Sequence, residues 1–382
     1  MIYEKIIDKL RKKEDLLYND IKIMVNDYVN DKISDEIMTE FLKLICKNKL
    51  SLRETLDLTD IMIKSGEKLD LSLLDKNTVD NHSTGGIGDK VSLIVGPIVA
   101  SLGLAMPKMS GRGLGITGGT IDKLESIDGY KVNLEKKEFK KILNEIGVSI
   151  ISQSNNIVPA DKKIYSLRDV TGTVDNDSLI AASIMSKKIA SSSDVIVIDM
   201  KVGNGAFKKD VKSAVKLSKM MIKIANAYNR KLICILTDMN EPLGMNIGNA
   251  LEIEEVIDFF NGFRDDKLEK VVTTIASYMV SYGKMIPLEK AKREVETTLN
   301  NNKAKEVFYK WIEAQGGNIN KLTIKAKQKE IYSPKDGYIS SLDASKIGLL
   351  VRDLGAGRKE KNDKIDYNVG IILNKTKTDK IK

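Results

Sequence analysis

Two glycine-rich stretches constrain this chain more than any other feature of it. The first runs Asp80-Asn81-His82-Ser83-Thr84-Gly85-Gly86-Ile87-Gly88-Asp89 and leads into an apolar segment carrying Ser92. The second runs Ser110-Gly111-Arg112-Gly113-Leu114-Gly115-Ile116-Thr117-Gly118-Gly119-Thr120, directly after a short apolar run. Glycine lets a backbone approach an anion closely and turn its N–H groups inward. A helix N-terminus adds unpaired donors and the positive end of its dipole. Hydroxyls from Ser83, Ser92, Ser110 and Thr120 can complete a phosphate cradle. Two tight turns in an α/β sheet are the alternative reading; the hydroxyls favour anion binding.

The surroundings fit α/β architecture, with short apolar strands alternating with amphipathic helices. Candidate strands are Leu104–Met109, Val148–Ser152, Val195–Asp199 and Leu232–Thr237. Candidate helices are Lys90–Leu102, Phe139–Ile146, Leu179–Ile189 and Val211–Ala227. Upstream, the first ~66 residues read as a helical bundle. Ile21, Met24, Val25, Tyr28 and Val29 recur at helical spacing, and Ser34 is expected to cap a helix whose apolar face is Ile37, Met38, Phe41, Leu42 and Ile45. Ser51 with Glu54 makes a capping box for a third helix ending near Gly66. Beyond about Glu330 the chain changes again, to strands such as Glu330-Ile331-Tyr332 and Gly337-Tyr338-Ile339, as in a separate smaller domain.

Composition excludes several classes. Net charge is +9, from 62 basic and 53 acidic residues, but the two signs are interleaved, so a solvated surface is expected rather than nucleic-acid binding. Only the basic end from Arg358 to Lys382 stands apart. No apolar run reaches the ~18 residues a membrane span needs, and the N-terminus lacks the pattern of a signal peptide, so no membrane association and a cytoplasmic location are expected. Cys46 and Cys234 lie in apolar stretches and read as buried thiols, and with His82 the only histidine a zinc site is not expected.

The kind of anion is narrowed by what the loops lack. Neither contains GxxxxGK[ST]. Gly113, Gly115 and Gly118 fit GxGxxG, but a dinucleotide site needs an acidic residue about twenty positions on, where this chain has the helix start Lys136-Lys137-Glu138-Phe139. A third segment, Tyr165-Ser166-Leu167-Arg168-Asp169-Val170-Thr171, precedes a helix holding Ser183 and Lys187 at i and i+4 on one face. With Arg168 that face can offer three donors to an electron-rich heterocycle; on local evidence alone, an ordinary solvated pair is the favoured reading of Lys187-Lys188. His82, beside the candidate phosphate ligands, is placed for chemistry.

Together these motifs resemble the thymidine and pyrimidine-nucleoside phosphorylases. That family's usual pattern is Lys-His-Ser-Thr-Gly-Gly, then Ser-Gly-Arg-Gly-Leu-Gly-His-Thr-Gly-Gly-Thr, then Tyr-Ala-Leu-Arg-Asp-Val-Thr; here stand His82 to Gly86, Ser110 to Thr120 and Tyr165 to Thr171. The resemblance runs from near Ile21 to about Gly370. It implies an α/β fold class with a helical domain (1–66, joined by about 160–192), a larger α/β domain (67–159 and 193–330) with a cleft between them, and a small C-terminal α+β domain (331–382). It implies reversible phosphorolysis of uridine, thymidine or deoxyuridine, in nucleoside salvage, by a homodimer that needs no cofactor. Phosphate would be bound by Asn81, His82, Ser83, Ser92, Lys108, Ser110 and Thr120, and the base by Arg168, Ser183 and Lys187. Arg168 and Lys187 would stabilise charge on the departing pyrimidine, and His82 would donate to a base oxygen. Changing Arg168 or Lys187 to alanine is then expected to cripple turnover and leave the fold intact. Lys108, where the strict thymidine branch has methionine, points to the broader specificity. Some relatives bind potassium at positions matching Gly88, Lys90, Leu243, Asn246 and Glu255. Lysine replaces the usual threonine at Lys90, and its ammonium is expected to fill that site.

Three departures matter. The family lysine before the histidine is Asn81, and a lost charge-assisted contact of this kind costs ~1.5–3 kcal/mol. The second-loop histidine is Ile116, which makes that wall more apolar. The family usually continues beyond Lys382, so the C-terminal domain is expected to be incomplete. The alternatives are a thymidine-specific enzyme, a non-catalytic binder of nucleoside or phosphate, and a phosphoribosyltransferase, which would need an acidic magnesium-binding pair.

Overall fold

The structure is a computed structural model that describes every residue except 1, 73, 114, 155, 323, 325, 326, 361, 362 and 382. Leu114 of the second glycine-rich stretch and Lys382 of the basic end therefore lie outside the described residues. The chain divides into two compact units.

The first unit comprises Met1–Ser72, Ser154–Ser193 and Val215–Leu232. It contains α1 (Ile2–Arg11), α2 (Tyr18–Val29), α3 (Asp35–Asn48), α4 (Leu52–Lys64), α8 (Pro159–Thr171) and α9 (Asp177–Ala190). The helical spacing read from the sequence is the spacing buried: Met38, Phe41, Leu42 and Ile45 of α3 all face inward. The capping box of α4 is formed, with Ser51 Oγ accepting from the Glu54 N–H at 3.2 Å and the Ser51 N–H donating to Glu54 Oε2 at 2.8 Å. Ser34 sits at the N-cap of α3, but its side chain makes no capping bond. Pro159 opens α8, where its missing N–H costs nothing. Gly66 packs against that start: a Cβ there would lie 2.3 Å from the Asn156 carbonyl oxygen. Gly172 closes α8 at φ +68, and the Asn176 side chain caps α9 by accepting from the Leu179 N–H at 3.1 Å.

The second unit comprises Leu73–Gln153, Asp194–Ala214 and Ile233–Lys382. Strand β1 (Val79–Ser83) pairs in parallel with β4 (Val195–Val202), from Val79↔Val195 to Ser83↔Asp199. Strand β2 (Met106–Ser110) pairs in parallel with β3 (Val148–Ser152). A parallel bridge, Thr78↔Ala105, joins the two pairs, and β5 (Lys231–Asp238) flanks β4. The order β3-β2-β1-β4-β5 reverses direction at β1, as in doubly wound sheets, which bind ligands at the carboxyl ends of strands beside that reversal. Strand β1 overlaps the first glycine-rich stretch, where the sequence alone reads as a loop. Asp80-Asn81-His82-Ser83 has no apolar residue to betray a strand, and only pairing with β4 makes it one.

Connecting helices are α5 (Val91–Ser101), α6 (Thr120–Glu125), α7 (Lys136–Glu145) and α10 (Val211–Ala227), the last divided between the units at residue 215. Helices α11 (Asn249–Phe260), α12 (Asp266–Lys284), α13 (Leu288–Asn300) and α14 (Lys303–Ala314) complete the layer, α12, α13 and α14 packing on α5, which is apolar but for Ser92 and Ser101. Short strand β6 (Asn246–Ile247) precedes α11. The last part of the chain holds β7 (Gly337–Tyr338), α15 (Ala344–Val351), β8 (Ile371–Ile372) and β9 (Lys380–Ile381), with β6 antiparallel to β8 and β7 to β9. The expected strand at Glu330-Ile331-Tyr332 does not form: Ile331 and Tyr332 are exposed and pair with no strand among the described residues.

Candidate functional site

In the second unit, Ser83 and Ser110 are the final residues of β1 and β2, so their hydroxyls stand at the carboxyl ends of neighbouring parallel strands. Ser92 is the second residue of α5 and Thr120 the first of α6. The structure thus brings the four hydroxyl candidates to strand ends and helix starts. Asn81 is fully buried, and its Nδ2 donates to Ser92 Oγ at 3.1 Å. The buried Lys108 ammonium donates to the Asn81 carbonyl oxygen at 2.5 Å and lies 3.9 Å from Asp80 Oδ1. A cation therefore sits beside Asn81, supplied by β2 rather than by position 81. His82 follows Asn81 on β1 with its side chain on the opposite strand face. Ile116 is partly buried against the core of this unit.

Sequence reasoning missed the charges behind these hydroxyls. Ser83 Oγ donates to Asp89 Oδ2 and accepts from the Gly85 N–H at 3.1 Å. Burial acts to raise the pKa of Asp89, but the charges of Lys201 and Lys123 and hydrogen bonds from Ser83 and Val91 outweigh it and hold the group below its ordinary value. Lys201 also pairs with Asp199 at 2.7 Å, both wholly buried on β4. The available signal was two opposite charges inside the otherwise apolar run Val195 to Val202, since such residues are buried only when paired.

A second buried constellation surrounds Lys90. Its ammonium donates to the Leu243 and Asn246 carbonyl oxygens, each at 3.0 Å, and to Glu255 Oε2. Glu255 further accepts from the Met245 and Asn246 N–H groups at 2.7 and 2.9 Å. Gly88, at φ +72, lets the chain pass Leu243, because a Cβ there would lie 2.5 Å from its carbonyl oxygen. All three ammonium protons are used, and the carbonyl-plus-carboxylate donor set that suits a monovalent cation is spent on the lysine.

In the first unit, Ser183 and Lys187 meet as their spacing implies, Lys187 Nζ donating to Ser183 Oγ at 2.8 Å. Its other partner is the buried Asp161 carboxylate at the start of α8, another residue the sequence did not single out. Lys188 is buried, so the pair is not a solvated one. Arg168 departs from the expectation of three donors on one face. It is 1% exposed, and its Nε, Nη1 and Nη2 donate to the carbonyl oxygens of Thr173, Leu179 and Val174 at 3.1, 3.2 and 2.8 Å. Burial lowers its pKa from that of a free guanidinium, against the opposing charge of Asp161. Two guanidinium protons stay uncommitted by those bonds. Both cations approach the half-exposed Tyr165 ring, its centroid 5.9 Å from Arg168 Cζ and 6.0 Å from Lys187 Nζ. An ammonium so oriented, with a hydroxyl at its side, can stabilise negative charge on a heterocycle oxygen.

Comparison with known proteins covers nearly the whole chain. Residues 4–66 match the glycosyl transferase family helical bundle domain, 75–305 the glycosyl transferase family a/b domain, and 338–382 the pyrimidine nucleoside phosphorylase C-terminal domain. Pyrimidine-nucleoside phosphorylase of Bacillus subtilis is 44% identical over 383 residues, 98% of this chain and 88% of that one. The Geobacillus stearothermophilus enzyme of the same name is 41% identical over 388 residues, 99% of this chain and 90% of that one. Among solved structures, anthranilate phosphoribosyltransferase of Thermus thermophilus superposes with a TM-score of 0.66 at 13% identity, over 81% of this chain and 99% of that one, a likeness that speaks for the fold alone.

Proposed function

The chain belongs to the pyrimidine-nucleoside phosphorylase family, and from that premise we propose how its residues divide the work of cleaving a pyrimidine nucleoside with inorganic phosphate. It is a pentosyltransferase: phosphate oxygen bonds to the anomeric carbon as the glycosidic bond breaks, leaving free base and a sugar 1-phosphate. The observation that carries the division is the placement of Ser83 and Ser110 at adjacent strand ends with Ser92 and Thr120 at helix starts. Phosphate is assigned to these hydroxyls, with Asn81 and the Lys108 ammonium beside them, and to His82 from the other face of β1. The base is assigned to Ser183 and Lys187 together with the free protons of Arg168. Lys187 carries most of the charge stabilisation, because Arg168 spends three donors on carbonyls, and His82 donates to a base oxygen. Uridine, thymidine and deoxyuridine are all substrates in this reading, Lys108 supporting the broader specificity.

The test is an assay of the purified protein on uridine and thymidine separately, with and without phosphate, following free base and sugar phosphate. Phosphate-dependent release from both is expected. Release from thymidine alone would move the assignment to the strict branch, and release without phosphate would defeat it. A homodimer through the bundle and a cytoplasmic setting belong to the same proposal. Ile2 and Leu17 are exposed apolar side chains on the bundle that such an interface could cover, and no described helix is long and apolar enough to cross a membrane.

Turnover is expected to be the same in potassium and tetramethylammonium buffers, since Lys90 supplies the charge and donors of a bound cation. A strong potassium dependence would contradict this. Removing the lysine in Lys90→Thr leaves Glu255 buried without its cation, a loss of about 3–5 kcal/mol. Potassium chloride should raise the melting temperature of that variant and leave the wild type unchanged.

A further inference from the structure

We propose that Asp122 and Arg358 are positioning residues for phosphate: they hold the second glycine-rich loop in shape and make phosphate affinity depend on the C-terminal domain. The inference rests on the assignment of that loop, and of Thr120 at its end, to phosphate.

Asp122 lies in the first turn of α6, two residues after Thr120, and is 2% exposed. Its Oδ2 accepts from the Gly113 N–H at 2.6 Å. Arg358 grips the same carboxylate with both arms, Nη2 to Oδ1 at 2.9 Å and Nη1 to Oδ2 at 3.1 Å. Arg358 Nη1 also donates to the Gly113 carbonyl oxygen at 3.3 Å. Both polar groups of Gly113 are therefore held, one by each member of the pair. The two ends of the loop touch directly: a Cβ on Gly119 would lie 2.0 Å from the Gly113 nitrogen and 2.6 Å from Asp122 Oδ2. The conformation that delivers Thr120 is closed around this carboxylate.

Charge supplies a second reason for the pairing. An uncompensated carboxylate within a turn of Thr120 would oppose an incoming anion. Arg358 cancels it bidentately, and Arg112 adds a bond to Oδ1 at 3.3 Å while pairing mainly with Glu125. The basic end of the chain thus begins with a residue committed to this loop.

The segment bearing Arg358 is fastened to the same unit at other points. Asn249 Nδ2 donates to the Ala356 carbonyl oxygen at 2.9 Å, and the Tyr367 hydroxyl donates to Glu125 Oε2 at 3.2 Å. Gly348 of α15 lies directly on both glycine-rich stretches: a Cβ there would be 2.4 Å from Ile87 Cδ1 and 3.0 Å from the Ile116 carbonyl oxygen. A shift of the C-terminal segment is thereby felt by both loops.

The experiment varies phosphate and uridine separately in steady-state phosphorolysis, with a melting curve for each protein. The variants are Arg358→Ala, Arg358→Lys, Asp122→Asn and the double Arg358→Ala/Asp122→Asn, with Thr120→Ala as control for the site itself. Arg358→Ala is expected to raise the KM for phosphate about tenfold and to leave the KM for uridine within about twofold. Arg358→Lys should recover part of the loss, because lysine restores the charge but not the two-armed grip. The effect of Arg358→Ala should shrink in the Asp122→Asn background, as it must if the two act as a pair. A folded Arg358→Ala protein with unchanged phosphate KM, or with both KM values raised equally, overturns the inference when Thr120→Ala does raise the phosphate KM. An inert Thr120→Ala substitution would instead overturn the assignment of the loop. If Arg358→Ala does not fold, an unchanged phosphate KM in Arg358→Lys has the same force.

Discussion

Lys187→Ala lowers kcat/KM for uridine about a hundred- to thousandfold, the usual loss when one donor to a developing anion is removed. It also destabilises the protein, because the buried Asp161 carboxylate loses its ammonium partner. Low activity in the single variant is therefore ambiguous, and a second substitution separates the causes. The double variant Lys187→Ala/Asp161→Asn removes the stranded charge and should regain most of the melting temperature. Activity should not return with it, since nothing replaces the ammonium on the base. Recovery of both together would mean that Lys187 serves the fold and not the substrate. Asp161→Asn alone should keep the fold and lose part of the activity, as Lys187 keeps Ser183 as a partner but loses its orienting carboxylate.

Arg168→Ala costs about 3–5 kcal/mol of stability, the loss typical of truncating a large, fully buried side chain. The expectation from sequence is lost turnover on an intact fold; the geometry adds an expected cost to the fold itself. The guanidinium ties the Thr173 and Val174 carbonyls, between α8 and α9, to Leu179 in the first turn of α9. Alanine removes the arginine donor from three carbonyls, of which that of Val174 keeps the Asn176 N–H at 2.9 Å and that of Thr173 keeps Cys46 Sγ at 3.7 Å, and it opens a cavity the size of the side chain. Lysine is no substitute, because one ammonium cannot reach three carbonyls spread around a planar fork. Thermal and urea unfolding measure this directly. A melting temperature within a degree or two of wild type would show that the connection holds itself, and lost turnover in the variant would then report base binding alone.

Much of the molecule could be read from residues close together in sequence. Helical periodicity in α2 and α3, the Ser51–Glu54 box and the full extent of α10 depend on neighbours a few positions apart, and the structure has them as read. Spacing also sufficed for Ser183 and Lys187, because i and i+4 on a helix meet whatever surrounds them. The hydroxyls and glycines of the two loops announced an anion site for the same reason: their chemistry is carried by consecutive residues.

Pairings across long sequence distances were decided elsewhere. Strand β1 has no apolar pattern, and it became a strand only when β4, more than a hundred residues later, offered it a ladder. Lys187 takes its carboxylate from 26 residues upstream, Lys90 its carbonyls from 153 and 156 residues downstream, and Asp122 its arginine from 236 residues away. Nothing local distinguishes these partners from the other charged residues of a chain that has 115 of them. Which charges are desolvated, and so must find each other, is set by the packing of the layers around them. The sequence by itself determined the helices of the bundle, most of the strands, the glycine-rich loops and the family chemistry they carry. Only the tertiary structure decided which donors stay available to substrate and which are consumed in holding the fold, because burial turns an unpaired charge from a small surface effect into a cost the fold cannot bear.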